Sequence, residues 1–254
     1  MIFDSHAHYD SHHFDEDRHE VLQELPSKGI VGVINCGSDL ASSKVSLELA
    51  EKYDYIYAAC GVHPHEAEES GAFDKNKLLP LLSHPKCVAV GEIGLDYHYD
   101  FSPRELQKEW FEGQILLAKE VGKPIVVHDR EAHADTWELL KKYTPAGEVH
   151  CFSGSVEMAR DVLNIGMYIG LGGAVTFKNA KTPVEVAKYV PLDRLLLETD
   201  CPYMTPVPFR GKRCDSTHVE LTAAKIAEVK GIDVDLVLQS AYENAKKLFG
   251  IGKE

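Results

Sequence analysis

Two runs, Cys87-Val88-Ala89-Val90-Gly91-Glu92 and Pro124-Ile125-Val126-Val127-His128, bracket a stretch of quite different periodicity. Both runs are short and apolar, and each ends on an ionisable residue. Between them, Ser102 followed by Pro103 and Glu105 reads as an N-cap, a proline at the first helical position and a capping-box acid. Leu106, Trp110, Phe111, Gln114, Leu117, Ala118 and Val121 then give one apolar helical face, and Gly122 stops the helix. Strand, helix and strand in that order make a crossover unit, the connection that parallel strands require.

The same unit repeats along the chain. Candidate strands start near Ile2, Gly29, Tyr55, Cys87, Pro124, Glu148, Tyr168 and Leu195, at intervals of about 20 to 37 residues. Eight such units within 254 residues predict an α/β fold of the (β/α)8 TIM-barrel type, with an open doubly wound sheet as the alternative. Residues 217–230 and 234–249 read as two closing helices. No linker-like or low-complexity segment interrupts the pattern, so a single domain over 1–254 is expected.

Composition narrows the class. The chain is 44% hydrophobic and 26% charged, ordinary globular usage. No run approaches the ~18 apolar residues of a membrane span, and Asp4 and His6 interrupt any signal-peptide core. A cytoplasmic monomer with no membrane partner is the expectation. Six cysteines without a C-x-x-C pair read as reduced, buried thiols. The formal net charge of −13 argues against a broad nucleic-acid footprint. It leaves room for a small pocket in which metal ions and a few arginines supply positive charge.

Ionisable residues recur where the strands end. Ile2-Phe3-Asp4-Ser5-His6-Ala7-His8 places two imidazoles at i and i+2, on one side of an alternating strand. Glu92 and His128 end the two runs quoted first. Glu148-Val149-His150 likewise ends on a histidine, and Leu195-Leu196-Leu197-Glu198-Thr199-Asp200 on a carboxylate. Any one of these alone would read as a capped strand end or a satisfied buried histidine. Together, His6, His8, Glu92, His128, His150 and Asp200 point to metal. Six groups exceed what one tetrahedral zinc takes, and a carboxylate such as Glu92 can bridge, so two divalent ions (Zn, Mg or Mn) are expected. Paired ions suit hydrolysis, with Glu92 and Asp200 as catalytic residues and Asp200 as acceptor of the attacking water's proton. Glu198, two residues back, reads as a partner orienting a ligand histidine.

These residues and their ordered neighbours resemble the TatD family of metal-dependent deoxyribonucleases, within the amidohydrolase-like barrels. The matches are Phe3 to His8, Gly61-Val62-His63-Pro64-His65, Gly91 to Tyr97, His150-Cys151-Phe152-Ser153-Gly154, Glu198 to Tyr203, and Arg210-Gly211-Lys212-Arg213. The resemblance implies a divalent-metal phosphodiesterase acting on single-stranded or frayed DNA, with RNA as a further substrate, as a 3′→5′ exonuclease. It carries over the six ligands and implies that His63 lies near the scissile phosphate or an additional metal. One departure stands out: where the family commonly has Asn and Pro, this chain has Cys214 and Ser216, which opens the shape of the loop after strand 8 to question.

The rim supplies the remaining candidates. Arg130, Arg210 and Arg213 are expected to bind substrate phosphates, Arg130 also offsetting the adjacent Asp129. His12, His13, His19 and His133 read as surface residues. Tyr97, Tyr99 and Phe101 suit either stacking on bases or packing over the barrel mouth. Two other functions fit the same residues: an amidase, lactonase or deacylase acting on a small molecule, and a catalytically silent metal-binding protein.

Overall fold

Eight strands form one sheet in chain order, each parallel to the next. They are β1 (Ile2–Ala7), β2 (Ile30–Cys36), β3 (Ile56–Cys60), β4 (Cys87–Asp96), β5 (Ile125–Arg130), β6 (Gly147–Val149), β7 (Tyr168–Leu171) and β8 (Leu195–Leu197). In this computed structural model residues 1–252 are described; Lys253 and Glu254, the end of the expected 1–254 domain, lie outside them. Helices α1 (Arg18–Glu24) and α2 (Leu40–Lys52) follow β1 and β2, while α3 (Ala67–Ser70) and α4 (Lys75–Leu82) follow β3. Then α5 (Arg104–Val121), α6 (His133–Tyr143), α7 (Val156–Asn164) and α8 (Lys181–Tyr189) each link two strands, and α9 (Val219–Lys230) and α10 (Val234–Phe249) close the chain. The fold is a (β/α)8 TIM barrel, and every strand starts within one residue of its expected position.

Two apolar layers hold it. The larger lies between sheet and helices. The smaller fills one end of the barrel with Phe3, Ile34, Ala89, Val126, Tyr168 and Leu196, against Ala245 and Phe249 of α10. That floor leaves the opposite, C-terminal end of the strands for polar residues, the usual place for chemistry in this fold.

The ladder slips where the polar residues begin. Register shifts fall between Asp4 and Ala7 on β1 and between Val90 and Ile93 on β4, the intervals that carry His6 and Glu92. Such irregularities re-aim side chains next to active sites. Two glycines permit the close packing: a Cβ at Gly94 (φ 149°) would lie 1.9 Å from the His128 carbonyl oxygen, and one at Gly170 would lie 2.5 Å from Glu198 Oε2.

Closure between β1 and β8 does not rely on a regular ladder. Their only bridge among the described residues joins Ala7 and Cys201, with His8 N donating to Cys201 O at 2.7 Å and Asp200 N to His6 O at 3.0 Å. The seam is instead held by the Asp4 carboxylate, which accepts from Thr199 N (2.9 Å), Thr199 Oγ1 (2.6 Å) and Ser216 Oγ (2.7 Å). Burial pushes Asp4 up to about 6, with the bonds from Thr199 and Ser216 pulling the other way. Ser216 N in turn donates to the Tyr9 hydroxyl at 2.9 Å, and that hydroxyl lies 2.8 Å from Ser216 Oγ. The serine that departs from the family pattern therefore locks the strand-8 loop to β1; a proline there would lack both the N–H and the hydroxyl.

Two local expectations differ from what forms. Ser102 does not cap α5, whose preceding residue is Pro103; its hydroxyl donates to His65 O at 2.9 Å and accepts from Glu68 N at 3.0 Å, so a loop captures it. Strand 8 stops at Leu197, and Asp200 sits beyond it with φ 57°, a left-handed turn.

Replacing Ser216 by Ala removes a hydrogen bond to a buried carboxylate and strips a partner from the Tyr9 hydroxyl. The expected loss is about 2 kcal/mol, seen as a lower urea midpoint at unchanged m-value. A midpoint equal to wild type would show that the seam does not depend on this serine.

Candidate metal centre

Five strand ends bring the six expected ligands into one buried cluster, with Glu92 at its middle. Glu92 is only 3% exposed. Its Oε2 lies 3.3 Å from His6 Nε2 and 3.4 Å from His8 Nε2. Its Oε1 lies 2.8 Å from His150 Nε2, 2.9 Å from His128 Nδ1 and 3.5 Å from His63 Nε2. Asp200 Oδ1 completes the first side, at 3.8 Å from His6 Nε2 and 3.5 Å from His8 Nε2. The two oxygens of one carboxylate thus face two separate sets of donors.

These spacings suit metal. Ligand atoms about 2.0–2.2 Å from a divalent ion lie about 3.4 Å apart around a tetrahedron. The groups His6–His8–Glu92, His6–His150–Asp200 and His63–Glu92–His128 each bring three ligand atoms within 4.8 Å of one another. Imidazole with carboxylate is also the donor set that borderline divalent ions prefer. The residues fit divalent metal.

Neighbours fix which nitrogen each ring presents. His8 Nδ1 lies 2.8 Å from the Cys36 carbonyl, so it carries the proton and Nε2 faces the cluster. His128 Nε2 lies 3.0 Å from Asp96 Oδ2, which leaves Nδ1 for the centre. Asp96 also holds His65 Nε2 at 2.9 Å and accepts from the amides of His98 and Tyr99. Sequence reading missed Asp96 and His65, although Asp96 is Glu92's neighbour by two steps of strand alternation. Glu198 does not orient a histidine by a hydrogen bond: Oε1 accepts from Cys151 N and lies 4.0 Å from His150 Nδ1, which has no partner. Beneath the cluster Glu198 and Glu148 flank Gly170, each with one unpartnered oxygen, and burial pushes both carboxyls well above their usual range.

Electrostatics divide the histidines. Burial, reinforced by His150, pushes His6 down to about 4 against the pull of Glu92. Burial also opposes charge on His128, yet hydrogen bonds to Asp96 and Glu92 lift it to about 9. His8 likewise rises well above its ordinary value, burial being outweighed by Asp200 and Glu92. Burial would raise Glu92, but His150, His6 and His63 hold it well below the usual carboxylate range.

The rim candidates fare unevenly. His63, 7% exposed, stands at the cluster's edge. Arg130 lies over the Tyr99 ring at 4.7 Å, and Arg210 lies over Phe177 at 3.8 Å while donating to Thr205 O. Arg213, expected at the substrate, is held elsewhere: it donates to Asp17 through two nitrogens (2.7 and 2.5 Å) and to His13 O, pinning the loop that carries Arg210. Asp129 is met by His133 at 2.8 Å rather than by Arg130. His19 lies outside the site with Tyr53, while the His13 ring reaches Tyr203 at the mouth. Tyr97 packs, its hydroxyl donating to Asp135 under Arg104. No helix among the described residues is long and apolar enough to cross a membrane.

Comparison with known proteins agrees with this geometry. The family model described as TatD related DNase matches residues 3–250. An uncharacterized metal-dependent hydrolase of Bacillus subtilis, YabD, is 44% identical over 99% of this chain and 100% of its own length. The 3′-5′ ssDNA/RNA exonuclease TatD of Citrobacter koseri is 31% identical over 98% of this chain and 99% of its own. The crystal structure of the TatD homolog YJJV from Escherichia coli superposes with a TM-score of 0.92, at 32% identity and 98% coverage of both chains.

Metals bind imidazole only in its neutral form, so loading must strip the protons that His8 and His128 hold at pH 7. About two protons should leave per molecule, measured by titration calorimetry in buffers of different ionisation enthalpy. Affinity should rise with pH through neutrality, and the His128 share of that rise should vanish above about 9. No proton release would mean that metal does not displace these rings from their carboxylate partners.

Proposed function

The chain belongs to the TatD related DNase family and is a metal-dependent hydrolase; from that premise we propose a 3′→5′ exonuclease of single-stranded or frayed DNA, with RNA as a second substrate, working through two divalent ions. The observation that carries the reading is Glu92, whose two oxygens face two donor sets. His6, His8 and Asp200 with Oε2 would hold one ion; His128 and His150 with Oε1 would hold the other, and His63 Nε2 stands 3.5 Å from that same oxygen. Zn, Mn or Mg would supply activation of water and neutralisation of charge on phosphoryl oxygens.

The protein's own groups do the rest. Asp200 is the most open carboxylate of the cluster, its side chain 19% exposed against 4% for Glu92. Its carboxyl is held low, burial being outweighed by His8 and His6, so it stays ionised and its oxygen can take a proton from water. Burial favours neutral His63, and its Nδ1 accepts from His65 N at 3.2 Å, so the proton sits on Nε2, which could donate it to a phosphate oxygen in place of Glu92. Arg130 and Arg210, neither in an ion pair among the described residues, would position the strand, while Arg213 holds the loop beneath Arg210.

The net charge of −13 favours a second reading, a hydrolase of small neutral esters or amides using the same centre. A bis-aryl phosphodiester tested beside lactone and amide panels separates the two.

The direct test is end-labelled single-stranded DNA incubated after chelation and again with Mg, Mn or Zn restored. A metal-dependent ladder shortening from the 3′ end is expected, with Asp200→Ala slower by about 10²- to 10⁴-fold. An intact strand under every metal, with metal demonstrably bound, would overturn the nuclease reading.

A further inference from the structure

The loop after β4 carries a feature that metal chemistry does not use. Tyr99 and Phe101 stack on one another at 5.3 Å between centroids and 25° between planes, yet stand 47% and 63% exposed. They are not isolated. Of the five exposed Tyr and Phe side chains among the described residues, four (Tyr99, Phe101, Tyr203 and Phe209) lie on loops following β4 and β8, at the mouth of the barrel. Scattered exposed rings need no explanation, but rings gathered round one opening do.

The stack joins the metal centre through imidazoles. The His65 ring lies 4.9 Å from Phe101 and 5.4 Å from Tyr99, and 4.3 Å from His63. His63 Nε2 is in turn 3.5 Å from Glu92 Oε1. The Arg130 guanidinium lies over the Tyr99 ring at 4.7 Å. Aromatic faces, a cation without a carboxylate partner and the hydrolytic centre therefore adjoin.

The platform is rigid although it is exposed. Gln107 grips both ends of its loop: Oε1 accepts from Asp96 N at 2.9 Å, and Nε2 donates to Asp96 O (3.2 Å) and Ser102 O (2.8 Å). Ser102 ties the loop to His65 and Glu68, and Arg104 forks onto Asp100. Tyr97, by contrast, is half-buried, with Arg104 over its ring and its hydroxyl donating to Asp135. Rings already held in place lose little further freedom when a planar ligand arrives.

We propose that the Tyr99–Phe101 stack is a nucleobase platform: an unstacked base flanking the scissile phosphate extends the stack on Phe101, while Arg130 meets the neighbouring phosphate. The proposal rests on the nuclease reading and adds what that reading lacks, a source of affinity for single strands that does not depend on charge. A chain of net charge −13 gains little from non-specific attraction to phosphates, whereas stacking is indifferent to it and is open only to bases outside a duplex.

The test is a thermodynamic cycle on cleavage. Metal-loaded wild type, Phe101→Ala and Phe101→Trp are given a 5′-labelled single-stranded oligonucleotide, and three versions each with one abasic residue at the last, second-last or third-last position. For wild type, one abasic position should cut kcat/KM by roughly 5- to 150-fold, the usual range for a lost base stack. Phe101→Ala should lose a similar factor on the intact strand and nothing more on that abasic strand, while Phe101→Trp retains activity. If Phe101→Ala matches wild type on the intact strand, or both respond equally to every abasic position, the platform is disproved while the nuclease reading stands. If wild type cuts no oligonucleotide under any metal, the nuclease reading fails and the platform with it.

Discussion

A carboxylate with almost no access to water sits at the axis of this barrel. Glu92 has a ring nitrogen of each of five histidines within 3.5 Å of its oxygens. An isolated buried carboxylate is costly enough that proteins neutralise or pair it. Here the pairing requires that strands far apart in sequence end at one level. β1 slips across the interval that carries His6, and β4 slips across Glu92 itself. Much of the irregularity at the C-terminal end of the barrel follows from serving that one group.

The layers beneath it show the same economy. Asp4 on β1, Glu148 on β6 and Glu198 just past β8 are fully buried, an unusual load of acid for a barrel interior. Only Asp4 is well supplied with donors, and it is the group that fastens β1 to β8. Glu148 and Glu198 each keep an unpartnered oxygen. The carboxylates that stay charged are those of the cluster, Glu92, Asp96 and Asp200: burial opposes their charge, but the imidazoles around them hold all three below their usual range, and they make a region that favours positive charge. The donor set and the field around it agree on a divalent cation.

Much of this was legible in the chain because it is local. Apolar runs and helix stops locate the strands, and an apolar run that leads into His128 or Asp200 points to the end of the barrel where those side chains emerge. What escaped is what depends on partners distant in sequence. Asp96 gains its role only when β4 continues past Glu92 and β5 brings His128 beside it. Ser102 carries every local sign of an N-cap, but the loop after β3 takes its hydroxyl. Arg213 reads as a free cation until Asp17, nearly two hundred residues earlier, closes on it. Ser216 reads as a departure that leaves the shape of its loop open; joined to Asp4 and Tyr9, it fixes that loop to β1.

The acidic surface and a phosphodiester substrate are reconciled by distance. Charges separated by more than about 10 Å in ordinary salt scarcely feel one another, so the net figure of −13 describes encounter more than contact. At the mouth the balance differs: Arg130 and Arg210 lie over aromatic rings rather than against carboxylates, and stacking leaves their charge available to an anion. A long duplex would meet the whole acidic exterior, whereas a strand end needs to approach only the rim. The same distribution that disfavours a general nucleic-acid binder is therefore compatible with an enzyme that accepts one flexible end at a time.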